Sequence, residues 1–230
     1  MSDTPLLIAG LGNPGAEYAR NRHNAGFMAA DVIHDRYRFA PWRSRFQGLF
    51  AEGSIGGRKI LLLKPMTYMN DSGISVGAAT RFFKLPLEAV VVLHDEVDLA
   101  PAKLRAKKGG GDAGNNGLRS ITSTLGPDYR RVRIGVGRPP AEGGRVYNHV
   151  LGNFSKADEE WLVPMLDAIA EAAPWLARDD DTGFMNKVAL MLNPPEKKLP
   201  EKKATEKKPP ENAPSENNQT EKKLKPGEDT

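Results

Sequence analysis

The polar side chains best suited to chemistry in this chain lie in four separate segments, each in a loop or at the end of an expected strand. They are an imidazole, a carboxylate and four carboxamides: Asn13, His23, Asn70, Asp95, Asn115 and Asn116. If the segments converge, His23 can act as a general base, and Asp95 can hold its ring in the productive tautomer. A water molecule can then be the nucleophile. Each residue alone also has a structural interpretation, because asparagine often serves its own turn.

The first of these segments, residues 10–26, also contains three glycines in the G-x-G-x-x-G spacing of dinucleotide-binding proteins. It follows the apolar run 6–9, as that motif requires. Pro14 argues against a dinucleotide site, because it removes an N–H group that would face the pyrophosphate. The acidic residue expected about twenty positions later, at the end of a second strand, is also missing. The segment is therefore more typical of a catalytic loop.

Three other catalytic signatures are disfavoured by their context. Residues 73–77 match the G-x-S-x-G of serine hydrolases, but Ser75 is expected within a helix rather than at the end of a strand. The glycine-rich stretch 109–117 lacks the Gly-Lys-Ser/Thr ending of a P-loop. The four histidines have no zinc-ligand spacing, and the chain contains no cysteine. None of these three signatures therefore indicates a serine nucleophile, a nucleoside triphosphate site or a zinc site.

Apolar periodicity and turn signals place these segments in an α/β fold. Strands are expected over residues 6–9, 46–55, 58–64, 90–93, 103–105 and 131–136. Helices are expected over residues 25–37, 71–83, 155–173 and 183–192, and from 118 to the stop signal Gly126-Pro127. This alternation predicts a single domain built on a twisted mixed β-sheet that is flanked by helices.

The composition changes at residue 194. Residues 1–193 carry nearly all of the apolar side chains and form the expected catalytic domain. Residues 194–230 contain no aromatic residue and repeat Glu-Lys-Lys every five positions among prolines, which predicts a disordered tail. Its lysines could attract RNA weakly. A solubilising tail without a defined role is the favoured interpretation.

The absence of cysteine suits a reducing cytosol, and no apolar stretch approaches the roughly 20 residues that span a bilayer. The first residues also lack the charged start of a signal peptide. These features predict a cytoplasmic protein that does not associate with a membrane.

The net charge is only +4, but the charges are unevenly distributed along the chain. Between positions 103 and 138 there are nine basic residues and only two acidic ones, Asp112 and Asp128. Such density indicates a phosphate-binding surface, with a solvated basic face as the alternative. The nine are Lys103, Arg105, Lys107, Lys108, Arg119, Arg130, Arg131, Arg133 and Arg138.

Five blocks of sequence resemble the bacterial peptidyl-tRNA hydrolase family, in the order and spacing of that family. The resemblance extends from Leu6 to about Leu192 and excludes the tail. The blocks are Gly10-Leu-Gly-Asn-Pro-Gly15 with Tyr18 and Arg22-His-Asn-Ala-Gly26, Lys64-Pro-Met-Thr-Tyr-Met-Asn-Asp-Ser-Gly73, His94-Asp-Glu-Val-Asp-Leu99, Gly109-Gly-Gly-Asp-Ala-Gly-Asn-Asn-Gly-Leu-Arg-Ser120 and Arg133-Ile-Gly-Val-Gly-Arg-Pro139. The resemblance implies hydrolysis of the ester between a peptide and the 3′ end of tRNA, which frees stalled tRNA for reuse.

The resemblance also implies a role for each matching residue at the reacting bond. His23 matches the catalytic base of the family, and Asp95 matches the carboxylate that orients it. Asn13, Asn70 and Asn116 match amides that bind the substrate and position water. No metal or organic cofactor is required, because an ester is already an activated acyl group.

Further positions match residues that hold the substrate around this centre. Met69 would pack beside the terminal adenosine or the peptide, and Tyr18 would line the pocket. Lys107 and Arg133 match basic positions that hold the 5′-phosphate of the acceptor stem. Asn115 stands where the family usually has histidine; it can form hydrogen bonds to the substrate, but it cannot titrate.

The main alternative is a catalytically inactive RNA-binding module of the same fold, as in plant organelle splicing factors that resemble this family. The presence of His23, Asp95, Asn13 and Asn70 argues against it. A dinucleotide-binding protein is the third possibility and depends on the glycine spacing alone. Peptidyl-tRNA is thus the expected partner, and we expect a monomer with no obligate protein partner.

Overall fold

The centre of the fold consists of parallel strands whose aliphatic side chains are buried on both faces of one sheet. These strands are β1 (Leu6–Gly10), β4 (Arg58–Pro65), β5 (Val90–Glu96) and β7 (Arg130–Gly135). The antiparallel strands are β2 (Arg43–Arg45), β3 (Gly48–Ile55) and β6 (Leu104–Lys108). The strand order is β2-β3-β4-β1-β5-β7-β6. The carboxyl ends of all four parallel strands therefore lie along one edge of the sheet.

Helices cover both faces of this sheet and produce two apolar cores. One core contains side chains from α1 (Ala25–Arg36), α5 (Glu159–Ala177) and α6 (Asp181–Leu192). The other contains side chains from α2 (Ser72–Phe82) and α3 (Asn116–Leu125). A short helix, α4 (Val146–Val150), precedes α5, and single 3-10 turns cover Ala16–Tyr18, Arg22–Asn24, Met69–Asp71 and Leu87–Ala89.

This computed structural model describes residues 4–139 and 145–194. In these ranges the predicted α/β fold, with a mixed sheet flanked by helices, is confirmed. The predicted tail, residues 194–230, lies outside the described residues except for residue 194. The division of the chain at that position therefore stays a prediction.

Several elements differ in extent from their sequence-based boundaries. β2 and α4 were not expected, β6 extends to Lys108 instead of residue 105, and β5 continues to Glu96. A capping box precedes α5, in which Ser155 N donates to Asp158 Oδ2 (2.8 Å) and Asp158 N donates to Ser155 Oγ (3.2 Å). The α-helix itself begins at the next residue, Glu159.

Helix α5 was expected to end at about residue 173, and proline at position 174 cannot donate a backbone hydrogen bond. The helix instead continues through Pro174 to Ala177. The carbonyl that would have accepted the missing bond belongs to Ala170, and it accepts the hydroxyl of Tyr37 from α1 (3.0 Å). A side chain of another helix therefore satisfies the acceptor that proline leaves free.

Helix α1 begins unusually close to the sheet because two glycines meet there. A Cβ atom on Gly10 would overlap the carbonyl of Gly26, and a Cβ atom on Gly26 would overlap that of Leu93. Two backbone hydrogen bonds hold this close contact, one from Leu11 N to Leu93 O (2.9 Å) and one from Phe27 N to Leu11 O (3.0 Å). The glycines of the first segment thus bring the start of α1 against the carboxyl ends of β1 and β5.

Candidate active site

A cavity of about 820 Å³ opens at the carboxyl ends of β1 and β5. All four predicted segments contribute to it. The lining residues are Asn13, Tyr18, His23, Tyr68, Met69, Asn70, Asp95, Glu96, Val97, Asp112, Ala113, Gly114, Asn115, Asn116, Arg138, Val146, Tyr147, Val150 and Leu151. Two predicted site residues, Lys107 and Arg133, do not line this cavity.

His23 and Asp95 form a hydrogen-bonded pair at the base of the cavity. The Arg22–Asn24 turn presents His23, and β5 presents Asp95, so the pair joins positions 72 residues apart. His23 Nδ1 lies 2.9 Å from Asp95 Oδ1, and only 2% of the Asp95 side chain is exposed. An ionised carboxylate accepts a hydrogen bond, so Nδ1 carries the proton in the neutral ring. Nε2 is then the basic nitrogen, and no residue in the described ranges bonds to it.

Two opposing effects set the pKa of His23. Burial of the ring disfavours the charged imidazolium and lowers the pKa. The negative charge of Asp95 and its hydrogen bond to the ring act in the opposite direction and outweigh burial, so the pKa of His23 lies above its ordinary value. The ring is therefore an effective proton acceptor once it is neutral.

Asn115 forms a second hydrogen bond to the carboxylate of Asp95. Its Nδ2 donates to Asp95 Oδ1 (3.2 Å), the same oxygen that accepts the His23 ring. Its Oδ1 caps α3 by accepting Gly117 N (3.0 Å) and Leu118 N (3.2 Å). Both ends of the Asn115 amide are therefore engaged inside the protein.

Asn13 is held from three directions. Its backbone N–H donates to Asn24 Oδ1 (2.9 Å), and its carbonyl accepts Asn24 Nδ2 (3.0 Å). Its side-chain Oδ1 accepts the backbone N–H of Met69 (2.9 Å), which fixes the orientation of the amide. Within residues 4–139 and 145–194, Asn13 Nδ2 has no acceptor. This nitrogen is therefore available as a donor to a ligand in the cavity.

The remaining predicted lining residues surround this centre at different depths. Met69 is buried, whereas Asn70 and Asn116 are exposed and Tyr18 is half-buried. The Oδ1 atom of Asn116 accepts Nη1 of Arg119 (3.1 Å), and that bond leaves the amide nitrogen as its donor. These side chains combine amide groups with apolar surface next to the His23 ring.

Sequence reasoning missed the apolar wall of the cavity. Val146 and Tyr147 at the start of α4, with Val150 and Leu151 at its end, form this wall together with Tyr68. Val146 and Val150 are four positions apart, as are Tyr147 and Leu151, which places each pair on one side of the helix. Five helical residues are too few for this spacing to have revealed α4 in the sequence. The apolar groups give one side of the cavity a different character from the amide-rich side.

The predicted basic pair lies on the neighbouring strands β6 and β7. Burial and the positive charges of Arg133 and Arg131 lower the pKa of Lys107, which indicates that these cations lie close together. Arg133 Nε donates to Glu96 Oε2 (2.9 Å), and Glu96 itself lines the cavity. The basic pair is thus outside the cavity but adjacent to it through Glu96.

Two searches of the described residues gave negative results. In the two described ranges, no three His, Asp or Glu side chains come close enough to hold a metal ion together. None of the helices found there is both long and apolar enough to cross a lipid bilayer.

Comparison with known proteins gives consistent matches in sequence and in structure. The family model described as peptidyl-tRNA hydrolase matches residues 7–199. The chain is 61% identical over 186 residues to peptidyl-tRNA hydrolase of Acidiphilium cryptum, covering 80% of this chain and 96% of the relative. It is 60% identical over 185 residues to that of Mesorhizobium japonicum, covering 80% and 77%. The crystal structure of peptidyl-tRNA hydrolase from Acinetobacter baumannii aligns with a TM-score of 0.76 at 38% identity, covering 82% of this chain and 96% of that one.

Proposed function

Because this chain belongs to the peptidyl-tRNA hydrolase family and hydrolyses peptidyl-tRNA, we propose that His23 activates the attacking water and that Asp95 orients His23. The observation that carries this proposal is the 2.9 Å contact between the two side chains at the base of the cavity. It leaves the unprotonated nitrogen of the ring available to a water molecule.

In the proposed reaction, Nε2 of neutral His23 takes a proton from water as the water oxygen attacks the ester carbonyl carbon. The carbonyl π bond opens, and its electron pair becomes the negative charge of a tetrahedral intermediate. When this intermediate collapses, the bond to the ribose oxygen of tRNA breaks, and the imidazolium returns the proton to that oxygen. Asp95 stabilises the imidazolium between the two steps. The products are a peptide with a free carboxyl group and a free tRNA.

The developing negative charge needs a donor that is already in place. We assign this role to Nδ2 of Asn13, because Asn24 and Met69 N–H hold the rest of that residue. An amide that does not have to reorient during the reaction stabilises an oxyanion more effectively than solvent does. Asn13 thus contributes to catalysis in this proposal, as a donor rather than a base.

We assign the other lining residues to substrate binding. Met69 and Tyr18 supply apolar surface for the terminal adenosine or the adjacent peptide, and the exposed amides of Asn70 and Asn116 supply hydrogen bonds. Asn115 contacts Asp95, and its amide cannot relay a proton. Its contribution is therefore to orientation rather than to proton transfer.

The 5′-phosphate of the acceptor stem is assigned to Lys107 and Arg133. The bond from Arg133 Nε to Glu96 fixes the base of the guanidinium, and its two terminal nitrogens have no partner in the described parts of the chain. A fork of this kind matches two phosphate oxygens. Contacts to phosphate position a nucleic acid without reading its sequence.

We further propose that the protein works in the cytoplasm, as a monomer, and without a metal or an organic cofactor. One chain supplies the whole described lining of the cavity, which supports a monomeric enzyme. The histidine and carboxylate supply the activation of water, so the proposed reaction needs no further group.

The proposal is tested by incubating the enzyme with N-acyl-aminoacyl-tRNA in the presence of EDTA and measuring release of the acyl-amino acid. We expect wild type to be active and His23→Ala to lose nearly all turnover while it keeps its affinity for tRNA. His34→Ala is a matched control, since His34 stacks on Trp42 and does not line the cavity. Near wild-type turnover by His23→Ala would show that the base is another group, and loss of wild-type activity in EDTA would refute metal independence.

A further inference from the structure

Arg131 is a fully buried cation, with 1% of its surface exposed. Its guanidinium lies 4.5 Å from the centre of the Tyr129 ring, and no carboxylate of the described residues pairs with it. A buried charge is costly unless strong acceptors surround it. The residue is also inaccessible to RNA, so the basic surface cannot explain its position.

The two short hydrogen bonds of Arg131 go to backbone carbonyls of one loop, and a longer one goes to Pro127 O (3.5 Å). Its Nη1 donates to Gly111 O (2.6 Å), and its Nη2 donates to Gly110 O (2.8 Å). We call residues 109–115 the glycine-rich loop. The planar guanidinium can hold two consecutive carbonyls at once, as a single ammonium group cannot. Gly110 has a φ of +97°, which a residue with a side chain rarely adopts.

The glycine-rich loop ends in the residue that reaches the catalytic carboxylate. Asn115, its last member, donates to Asp95 Oδ1 and caps α3. The side chain of Asp112 bonds to Gly114 N within the loop and to Arg119 on α3. Among the described residues, Arg131 therefore supplies the side chain from the sheet that holds the middle of the loop.

We propose that Arg131 is a positioning residue for the hydrolysis: it holds the glycine-rich loop so that Asn115 stays bonded to Asp95, and thereby it sets how strongly Asp95 acts on His23. The contacts run from Arg131 to the Gly110 and Gly111 carbonyls, then through the loop to Asn115. This inference rests on the proposed function, in which His23 is the base.

The consequence for His23 follows from the sharing of one oxygen. Asp95 Oδ1 accepts both the His23 ring and the Asn115 amide. Without the amide, the carboxylate interacts more strongly with the imidazolium, so the pKa of His23 rises further. A smaller fraction of the ring is then neutral at a given pH. The activity profile therefore moves to higher pH.

Within the described residues, the ionisable groups on neighbouring elements other than Asp95 form no hydrogen bond to the His23 ring. Arg22, on the same turn, donates to Asp158 (2.9 Å). On β5, His94 contacts the backbone carbonyl of Asp95 (2.7 Å), and burial lowers the pKa of His94. On α4, His149 Nε2 is within 3.2 Å of the carbonyl of Val136. Asp95 is thus the charged group that acts directly on His23.

The test compares kcat and KM of Arg131→Lys with those of wild type on N-acyl-aminoacyl-tRNA between pH 5 and 9. We expect kcat/KM to fall roughly tenfold, mainly through kcat, because misplaced groups near the reacting atoms are costly. We also expect the midpoint of the pH profile to move about half a unit to higher pH. Asn115→Ala should move it in the same direction, and the double variant should move no further than Asn115→Ala.

Arg58→Lys is the matched control. Arg58 is also buried, at 4% exposure, and also donates to backbone carbonyls, those of Thr4 (2.8 Å) and Ala177 (3.1 Å). It lies at the first residue of β4, at the opposite edge of the sheet from the cavity. We expect Arg58→Lys to lose stability but to keep the wild-type midpoint.

An unchanged midpoint in folded Arg131→Lys overturns the inference, and so does an equal shift in Arg58→Lys or an additive double variant. If circular dichroism shows that Arg131→Lys does not fold, Arg131→Gln replaces it and is judged by the same criteria. Its neutral amide can donate to one of the two carbonyls without burying a charge. If kcat/KM of wild type does not rise with pH through the pKa of His23, the proposed function itself is refuted. If kcat/KM of wild type does rise in this way but the midpoint is the same in the Arg131 variants, only this inference is refuted.

Discussion

Replacing Asp95 with asparagine separates the charge of this residue from its shape. Both donors, His23 Nδ1 and Asn115 Nδ2, use the same carboxylate oxygen. The amide oxygen of Asp95→Asn can occupy that position, so we expect the ring to keep its orientation and tautomer. What the variant loses is the negative charge beside the imidazolium.

The size of this loss can be worked from the geometry. The contact is 2.9 Å between atoms. Charge centres about 4 Å apart interact by about 4 kcal/mol at an effective dielectric of 20. Since one pKa unit corresponds to about 1.36 kcal/mol, the upper limit of the shift is about 3 units. Burial of the His23 ring continues to disfavour the imidazolium, so the pKa falls.

The pH profile of Asp95→Asn should therefore move in the acidic direction. The neutral ring is the base, so kcat/KM rises with pH through the pKa of His23, and a lower pKa moves this limb to lower pH. We expect a shift of at least about one unit. We expect the plateau to fall roughly a hundredfold, because the imidazolium of the transition state is no longer stabilised.

The assay measures kcat/KM on N-acyl-aminoacyl-tRNA from pH 5 to 9, with the uncatalysed hydrolysis of the ester subtracted at each pH. An NMR titration of the ring protons gives the pKa directly, and it is tractable because the chain has only four histidines. A limb that stays in place, or one that moves to higher pH, would refute the electrostatic role of Asp95.

The remaining predictions concern the phosphate-binding pair, the amide donor and the segment next to His23. Arg133→Ala should weaken tRNA binding and reduce its salt slope by about one, in titrations at several salt concentrations; an unchanged slope places the phosphate elsewhere. Asn13→Ala should lower kcat about a hundredfold with little change in KM, and an unaltered kcat excludes it as the oxyanion donor. Burial raises the pKa of Asp158, but hydrogen bonds from Ser155 and the charge of Arg22 outweigh burial and lower it overall. Its ionised form thus stabilises the fold above the ordinary carboxyl pKa, and this contribution disappears as pH falls through the lowered value. Urea denaturation from pH 3 to 7 measures the free energy of unfolding of wild type and of Asp158→Asn. Wild type should be the more stable at pH 7, and the difference should decrease as the pH falls; a difference that does not change with pH contradicts this.

The polar side of the cavity was accessible to sequence reasoning because its residues lie in loops or near the ends of strands that the sequence reveals. His23 follows the glycines after β1, and Asp95 lies near the end of an aliphatic strand. Carboxyl ends of parallel strands share an edge, which makes it reasonable to ask what these residues could do if they converge. The functional roles of the individual residues stay predictions.

The apolar wall was not predictable in the same way. Helix α4 contains five residues, which is too short for helical periodicity to distinguish it from a loop. Strand β2 was missed for a related reason, since its three residues are all exposed and polar. Lys107 and Lys108 made the end of β6 resemble a loop, although the strand is paired as far as Lys108. Tertiary contacts decide such short or charged segments.

The order of the strands has a consequence for a ribosome that makes this protein. In the described sheet, β6 is an edge strand that pairs with β7, and β7 comes later in the chain. A nascent chain that ends before residue 130 lacks the strand that carries both Arg131 and Arg133. While it is attached to tRNA, such a fragment is itself a peptidyl-tRNA. If it leaves the ribosome still attached to tRNA, an unfinished copy therefore belongs to the substrate class of this enzyme, and a finished copy can hydrolyse it.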